Sequence, residues 1–165
     1  MGNNGRETIT AAITVIIAVI IMFILIVSGC TAPAQTQTAV AAKPIAKNFY
    51  EFDQATYEAA LKAGKLVFLD FYANWCPICK AEAPEITAAF NELNEENVVG
   101  FQVNYNDGQT DANEKALAKK FGITYQHTKI LITADEKVVS RTLVAQTKQE
   151  ALKQIKDSQA AEATK

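Results

Sequence analysis

Several residue types that build common catalytic and binding sites are scarce in this chain of 165 residues. His127 is the only histidine, which excludes two-histidine metal motifs and imidazole-rich zinc sites. Three cysteines are too few for a disulfide scaffold, and an odd number leaves at least one without an intramolecular partner. Lys and Arg number 16 against 18 Asp and Glu, so no positive excess predicts a nucleic-acid partner.

Charged residues are also absent between Glu7 and Lys43. Within this stretch, the 19 residues from Ile9 to Val27 contain only Thr10 and Thr14 as polar members. As a helix this segment would be roughly 28 Å long, close to the hydrocarbon thickness of a bilayer. The pattern predicts a membrane-targeting helix within residues 1–29.

The end of this segment leaves two interpretations open. Residues 27–30 read Val-Ser-Gly-Cys and resemble a lipobox, in which the cysteine is lipidated, so Cys30 would be a lipid anchor. The apolar stretch exceeds the usual length of about 7–15 residues in a cleaved signal, which favours an uncleaved transmembrane helix. Under both, Arg6 favours an N-terminus inside the cell and a domain outside the cytoplasm, at the cell membrane.

The remainder divides by composition into three parts. Residues 30–46 are small and polar without apolar periodicity, which predicts a flexible tether. Residues 47–157 carry the apolar patterns of one folded domain. Residues 158–165 are rich in alanine and charge, which predicts a C-terminal tail that extends the last helix with fraying.

Apolar periodicity predicts alternating strands and helices within the domain. Candidate strands cover residues 49–52, 66–72, 98–104, 130–133 and 138–144, the last two joined as a hairpin. Candidate helices begin after Asp53, at Cys76, and at capping boxes formed by residues 111–114 and 147–150. The order predicts an α/β fold with a central sheet flanked by helices.

The chemistry is expected where the buried strand 66–72 meets the long helix. Cys76 and Cys79 are three residues apart, so both fall on one face of a first helical turn. The helix N-terminus would favour a thiolate at Cys76, and Pro77 is tolerated there because its N–H would be unpaired. We weighed a structural disulfide and half of a zinc site, but the spacing favours dithiol redox chemistry.

Residues 49–157 resemble the thioredoxin family. The resemblance is carried by eleven positions: Asp70, Phe71, Ala73, Trp75, Cys76, Cys79, Lys80, Pro84, Phe121, Gly122 and Thr128. It implies a thioredoxin-like fold in which Cys76 attacks a substrate disulfide and Cys79 resolves the mixed disulfide. It also implies that Asp70 accepts the proton of Cys79 and that Trp75 shields the site. Burial would raise the pKa of Asp70 toward that role, with a purely structural acid as the alternative.

The chain departs from the family pattern at three places. Pro77 and Ile78 replace the Gly-Pro of general thioredoxins, and this dipeptide tunes the reduction potential. Gln102 stands where the family has a lysine near the buried carboxylate, so we expect that charge to be missing. His127, before Thr128, stands where the family has a cis-proline that faces the dithiol and binds substrate.

His127 therefore has three possible roles. A protonated imidazole would favour the Cys76 thiolate, and a neutral one would complete a soft-metal site with both cysteines. The third possibility is a surface histidine with neither role. The peptide bond before His127 is expected to be trans, because a cis bond before a non-proline residue costs about 2.5–4 kcal/mol.

The functional prediction is a membrane-tethered thiol–disulfide oxidoreductase outside the cytoplasm, acting as a protein disulfide reductase. It would use a redox-active Cys76–Cys79 disulfide without cofactor or resident metal, and would act as a monomer. Its partners would be protein disulfides or dithiols and a membrane electron donor. The alternative is a copper(I)-binding or delivery protein that uses Cys76, Cys79 and His127.

Overall fold

The computed structural model describes residues 42–164. The predicted membrane-targeting segment, Cys30 and most of the predicted tether lie outside these residues. No helix between residues 42 and 164 is long and apolar enough to cross a bilayer.

Residues 42–164 form six strands and four helices. The strands are β1 (Pro44–Ala46), β2 (Phe49–Glu51), β3 (Leu66–Tyr72), β4 (Val98–Asn104), β5 (Thr128–Ile132) and β6 (Val138–Thr142). The helices are α1 (Gln54–Lys62), α2 (Pro77–Glu92), α3 (Ala112–Lys120) and α4 (Lys148–Ala163). All six strands form one mixed sheet in the order β1-β2-β4-β3-β5-β6. Strand β3 is parallel to β4 and antiparallel to β5, which confirms the predicted mixed sheet flanked by helices.

The helices begin where side chains can accept the free N–H groups of a first turn. Asp53 accepts a hydrogen bond of 2.8 Å from the backbone N–H of Thr56 at the start of α1. Reciprocal capping boxes start α3 and α4, as predicted from residues 111–114 and 147–150.

Strand β3 lies at the centre of the sheet and is covered on both faces. Its first six residues are buried, and alternate side chains enter two separate apolar clusters. Val67, Leu69 and Phe71 pack in the cluster that includes residues of α1 and α3. Leu66 and Phe68 pack in the cluster that includes residues of α2 and α4.

Some boundaries differ from the sequence prediction. Strand β1 lies within the predicted tether 30–46, because Pro44–Ala46 pairs with β2 as an additional edge strand. Helix α4 continues through Ala163, and Ser158 is buried and donates to the carbonyl of Gln154. Strand β5 begins at Thr128, two residues earlier than predicted, and β6 ends at Thr142, two residues earlier.

Candidate active site

The dithiol lies at the junction of β3 and α2. Cys76 is the N-cap residue of α2, and its Sγ accepts a hydrogen bond of 3.2 Å from the backbone N–H of Cys79. Pro77 occupies the first helical position, where no N–H is required. Both cysteines are free thiols and are buried. The first turn of α2 therefore brings the two sulfur atoms together and gives a hydrogen-bond donor to Cys76.

Burial raises the pKa of both the second cysteine and the buried carboxyl. Burial, together with a hydrogen bond to Cys76, raises the pKa of the Cys79 thiol to about 12. Burial also raises the pKa of Asp70 to about 7. Cys79 therefore holds its proton at neutral pH, and Asp70 is poised to exchange one. The arrangement agrees with the predicted proton acceptor, although the catalytic role of Asp70 stays a prediction.

The loop before α2 exposes two large apolar side chains. Trp75 is 49% exposed and Ile78 is 54% exposed, so Trp75 is not a core residue. The Trp75 indole Nε1 donates to the carbonyl of Asn106 at 3.0 Å. Asp107 accepts a hydrogen bond of 2.9 Å from the backbone N–H of Asn74. The loop after β4 thus anchors the side chain of the residue that directly precedes Cys76.

His127 has a backbone conformation that proline cannot adopt. Its φ is +65°, in the left-handed region, and no peptide bond within residues 42–164 is cis. Its N–H donates a hydrogen bond of 2.6 Å to the carbonyl of Phe71. The next residue, Thr128, is buried and its hydroxyl donates to the carbonyl of Tyr125 at 2.7 Å. A proline at 127 would lose the bond to Phe71 as well as the required φ.

The His127 side chain is buried against helix α2, which excludes the surface histidine among the three alternatives. Its Nδ1 lies 2.9 Å from Oε2 of Glu82, but the two atoms are not hydrogen-bonded. Burial and the nearby Lys129 lower the pKa of His127, while Glu82 opposes them. The imidazole is thus in contact with a carboxylate that the sequence did not associate with it.

The three-ligand copper(I) site is not formed in the described part of the chain. No group of three or more His, Cys, Asp or Glu side chains within residues 42–164 is placed to hold a metal ion. The geometry therefore gives no support to the copper-binding alternative.

Two functional candidates were missed from the sequence: Glu82 on α2 and Lys129 on β5. The Lys129 side chain is fully buried, and its Nζ donates to Oε1 of Glu82 at 2.6 Å and to the carbonyl of Val144 at 2.9 Å. Lys129 stands directly opposite Asp70 in the sheet, while Gln102 is the partner of Asp70 on the other side. The expected loss of a positive charge near Asp70 is therefore wrong, because β5 supplies a lysine.

Further apolar groups lie in the loops around this end of the sheet. Tyr125, Leu143 and Val144 are each at least half exposed. A cavity of about 400 Å³ adjoins the first turns of α2 and is lined by Pro77, Ile78, Ala81, Glu82, Glu85, Ala145, Gln146 and Thr147. Together with Trp75 and Ile78, these groups make the surroundings of the dithiol apolar.

The fold and the site define a class of protein: a mixed-sheet α/β domain with a Cys-x-x-C dithiol at the start of the helix that follows the central strand. The thioredoxin family model matches residues 48–157, and the chain belongs to the thioredoxin family. It carries the dithiol in the arrangement of an oxidoreductase of that family.

Relatives of several kinds share this domain. The chain is 32% identical over 101 residues to a protein disulfide-isomerase of Aspergillus oryzae, covering 61% of this chain and 18% of that protein. It is 31% identical over 112 residues to the thiol-disulfide oxidoreductase ResA of Geobacillus thermodenitrificans, covering 65% and 63%. The structure of thioredoxin f from spinach chloroplast has 25% identity and a TM-score of 0.55, covering 71% and 98%. The protein disulfide isomerases are matched over only 9–18% of their length.

Proposed function

We propose that this protein is a thiol–disulfide oxidoreductase that reduces disulfide bonds in other proteins while tethered to a membrane. The observation that carries the proposal is the dithiol geometry at the start of α2. The Sγ atom of Cys76 accepts a hydrogen bond from the backbone N–H of Cys79. Asp70, on the strand that leads into this helix, has a pKa of about 7.

The reaction follows from these groups. The Cys76 thiolate attacks a substrate disulfide, forms a mixed disulfide and releases one substrate thiolate. Cys79 then gives its proton to the Asp70 carboxylate and attacks Sγ of Cys76, which releases the second substrate thiolate. The substrate gains two electrons, and the protein is left with a Cys76–Cys79 disulfide. A membrane electron donor with its own dithiol would return the two electrons.

The surroundings of the dithiol favour a polypeptide substrate. Trp75, Ile78 and Val144 expose apolar surface beside a site whose sulfur atoms are themselves buried. Exposed apolar groups clustered around a functional centre are typical of an interaction surface. Extended or partly unfolded segments that contain a disulfide could cover this surface while presenting sulfur to Cys76.

Trapping of mixed disulfides tests the assigned roles. In the full-length chain, Cys79→Ser is expected to accumulate mixed disulfides with a disulfide-containing protein, because the resolving thiol is gone. Cys76→Ser is expected to accumulate none, and its reductase activity should fall to background. Equal trapping by the two variants would contradict the order of attack.

The reduction potential of the Cys76–Cys79 couple tests the direction. A reductase is expected near the thioredoxin value of about −270 mV, while an oxidase lies nearer −120 mV, in the range of strong oxidants. A value close to that of strong oxidants would overturn the reductase proposal but leave dithiol exchange in place.

The membrane tether is a separate part of the proposal and rests on the apolar segment Ile9–Val27. It would place the N-terminus inside the cell and the domain outside the cytoplasm, at the cell membrane. Intact mass of protein extracted from membranes separates the two anchors. A lipid-modified N-terminal Cys30 indicates a lipoprotein, and retention of residues 1–29 with an unmodified thiol indicates a transmembrane helix. Recovery of the chain in the soluble fraction alone would contradict both.

A further inference from the structure

A buried lysine stands beside the buried carboxyl of the site. Lys129 and Asp70 are directly opposed on antiparallel strands, and directly opposed residues present their side chains on the same face of a sheet. Both side chains are removed from water, with Lys129 fully buried and Asp70 only 5% exposed. A buried ammonium is costly unless a partner and hydrogen bonds compensate its charge.

Glu82 supplies this compensation from helix α2. Its Oε1 accepts hydrogen bonds from Lys129 Nζ at 2.6 Å and from the backbone N–H of Gln146 at 2.6 Å. The carbonyl of Val144 accepts a second bond from the same ammonium. The Lys129 charge is therefore held in place by α2 and by the loop between β6 and α4.

We infer that Lys129 and Glu82 are positioning residues for the thiol–disulfide reaction. Lys129 stabilises the ionised Asp70 carboxyl, and Glu82 fixes Lys129 and weakens its field at Asp70. The inference rests on the proposed function, in which Asp70 accepts the Cys79 proton, and it assigns two further residues to that step.

The charges that face Asp70 come from each neighbouring element. Lys129 on β5 favours its ionised form, whereas Glu82 on α2 opposes it. The Cys79 thiol on α2 is uncharged at neutral pH, because its pKa is about 12. On β4 the opposed residue is the uncharged Gln102. Because the two nearest charges have opposite signs, their removal is expected to move the Asp70 titration in opposite directions.

The experiment follows the carboxyl carbon of Asp70 by NMR as a function of pH in the full-length chain in detergent, with the signal assigned through Asp70→Asn. Lys129→Met is expected to raise the titration midpoint of Asp70 by about one unit, and Glu82→Gln is expected to lower it by about one unit. The double variant should return toward the native midpoint. A merely structural pair would shift both single variants the same way or neither.

The double variant keeps the test decisive if Lys129→Met alone does not fold. It leaves no unpaired buried charge at this position and should titrate at a higher pH than Glu82→Gln. Glu92→Gln and Lys148→Met are matched controls, because they remove an ion pair of 2.7 Å between α2 and α4 that is partly exposed. The controls should leave the Asp70 midpoint unchanged. Shifts in the same direction for both single variants, or equal shifts in the controls, would overturn the inference.

Resolution of a preformed mixed disulfide gives a second measurement. At pH 6, Lys129→Met is expected to slow attack by Cys79 about tenfold, since one unit in the Asp70 midpoint changes its ionised fraction about tenfold. The NMR titration needs no turnover. A protein without exchange activity would therefore refute the proposed function, while the opposed shifts alone decide the positioning roles.

Discussion

The two faces of the central sheet are built from similar strands but contain different chemistry. Toward α1 and α3, strand β3 presents Val67, Leu69 and Phe71 to an apolar cluster. Toward α2 and α4, the same strand presents Phe68 to an apolar cluster and then Asp70. The second face changes from apolar to ionisable toward the end of β3 that leads into α2.

This difference separates residues that hold the fold together from residues that perform chemistry. On the apolar face Val67, Leu69 and Phe71 of β3 contribute through packing alone, with little dependence on pH. On the other face, buried Asp70 and Lys129 lower stability unless their charges are compensated, and the ionisation of Asp70 depends on pH. The site thus depends on groups that stability alone would not favour.

The largest loss of stability is expected from a substitution on the apolar face. Phe101 is fully buried and its ring centroid lies 6.1–6.2 Å from those of Tyr50, Phe52 and Tyr57. Phe101→Ala should lower the free energy of unfolding by about 3–5 kcal/mol. Chemical denaturation measures the loss. Stability should fall similarly at pH 5 and pH 8, and a strong pH dependence of the loss would contradict the separation of the faces.

Removal of the buried carboxyl on the ionisable face is expected to increase stability in a pH-dependent way. The unfolded chain ionises Asp70 near pH 3.8, whereas the folded protein ionises it only near pH 7. Folding is therefore penalised progressively as pH rises from about 4 to 7. Asp70→Asn should raise the free energy of unfolding at pH 8, by no more than about 4 kcal/mol, and change it little at pH 3. An equal change at both pH values would show that charge is not the cause.

Close packing of the second face gives a smaller effect. Gly100 lies on β4, and a Cβ at this position would overlap the rings of Phe90 and Phe49. Gly100→Ala should therefore cost about 1–3 kcal/mol through overpacking. Gly108→Ala is the control, because a Cβ there meets no atom within 4 Å. Equal stabilities of the two variants would indicate that the stacked rings of Phe49 and Phe90 move aside at little cost.

The smallest effect is expected at His127. Asparagine tolerates a φ of +65° and keeps the N–H that binds the carbonyl of Phe71, so His127→Asn should cost about 1 kcal/mol or less. His127→Val should cost more, because a β-branched residue is strained at this φ. Thermal and chemical denaturation compare the two. Equally large losses in the two variants would instead assign the stability of this loop to the imidazole and its contact with Glu82, which both variants lack.

Much of the fold was predictable from local patterns. The sequence alone indicates β3 because its buried residues form one continuous apolar run. It also indicates the capping residues Asp111 and Thr147, because each bonds to a residue only three positions away. The dithiol was predictable for the same reason, because Cys76 and Cys79 lie on one helical turn. Strand β1 was missed because three residues carry too little periodicity to distinguish an edge strand from a tether.

The buried charges were not predictable with the same rules. Glu82 has the sequence pattern of an exposed helical residue, and Lys129 precedes the apolar residues that predicted a strand. One signal was available: β3 and β5 are apolar runs that each contain one charge, and the two charges have opposite signs. Their meeting depends on the register between the strands, which sequence spacing does not determine.

The sequence by itself determined the class of domain through the order of its strands and helices, and the dithiol through spacing within one helical turn. It also placed Asp70 in a buried strand, where the resemblance to the thioredoxin family implied its role. Only the tertiary structure decided the charge that faces Asp70 and the orientation of His127. The hydrogen bonds of Glu82 with Lys129 and Gln146 join α2 to β5 and to the loop before α4, and they connect residues that are 47 and 64 positions apart in the sequence. They form because the sheet register and the packing of α2 bring the Glu82 carboxylate into hydrogen-bond distance of the buried Lys129 ammonium, and burial makes that pairing necessary.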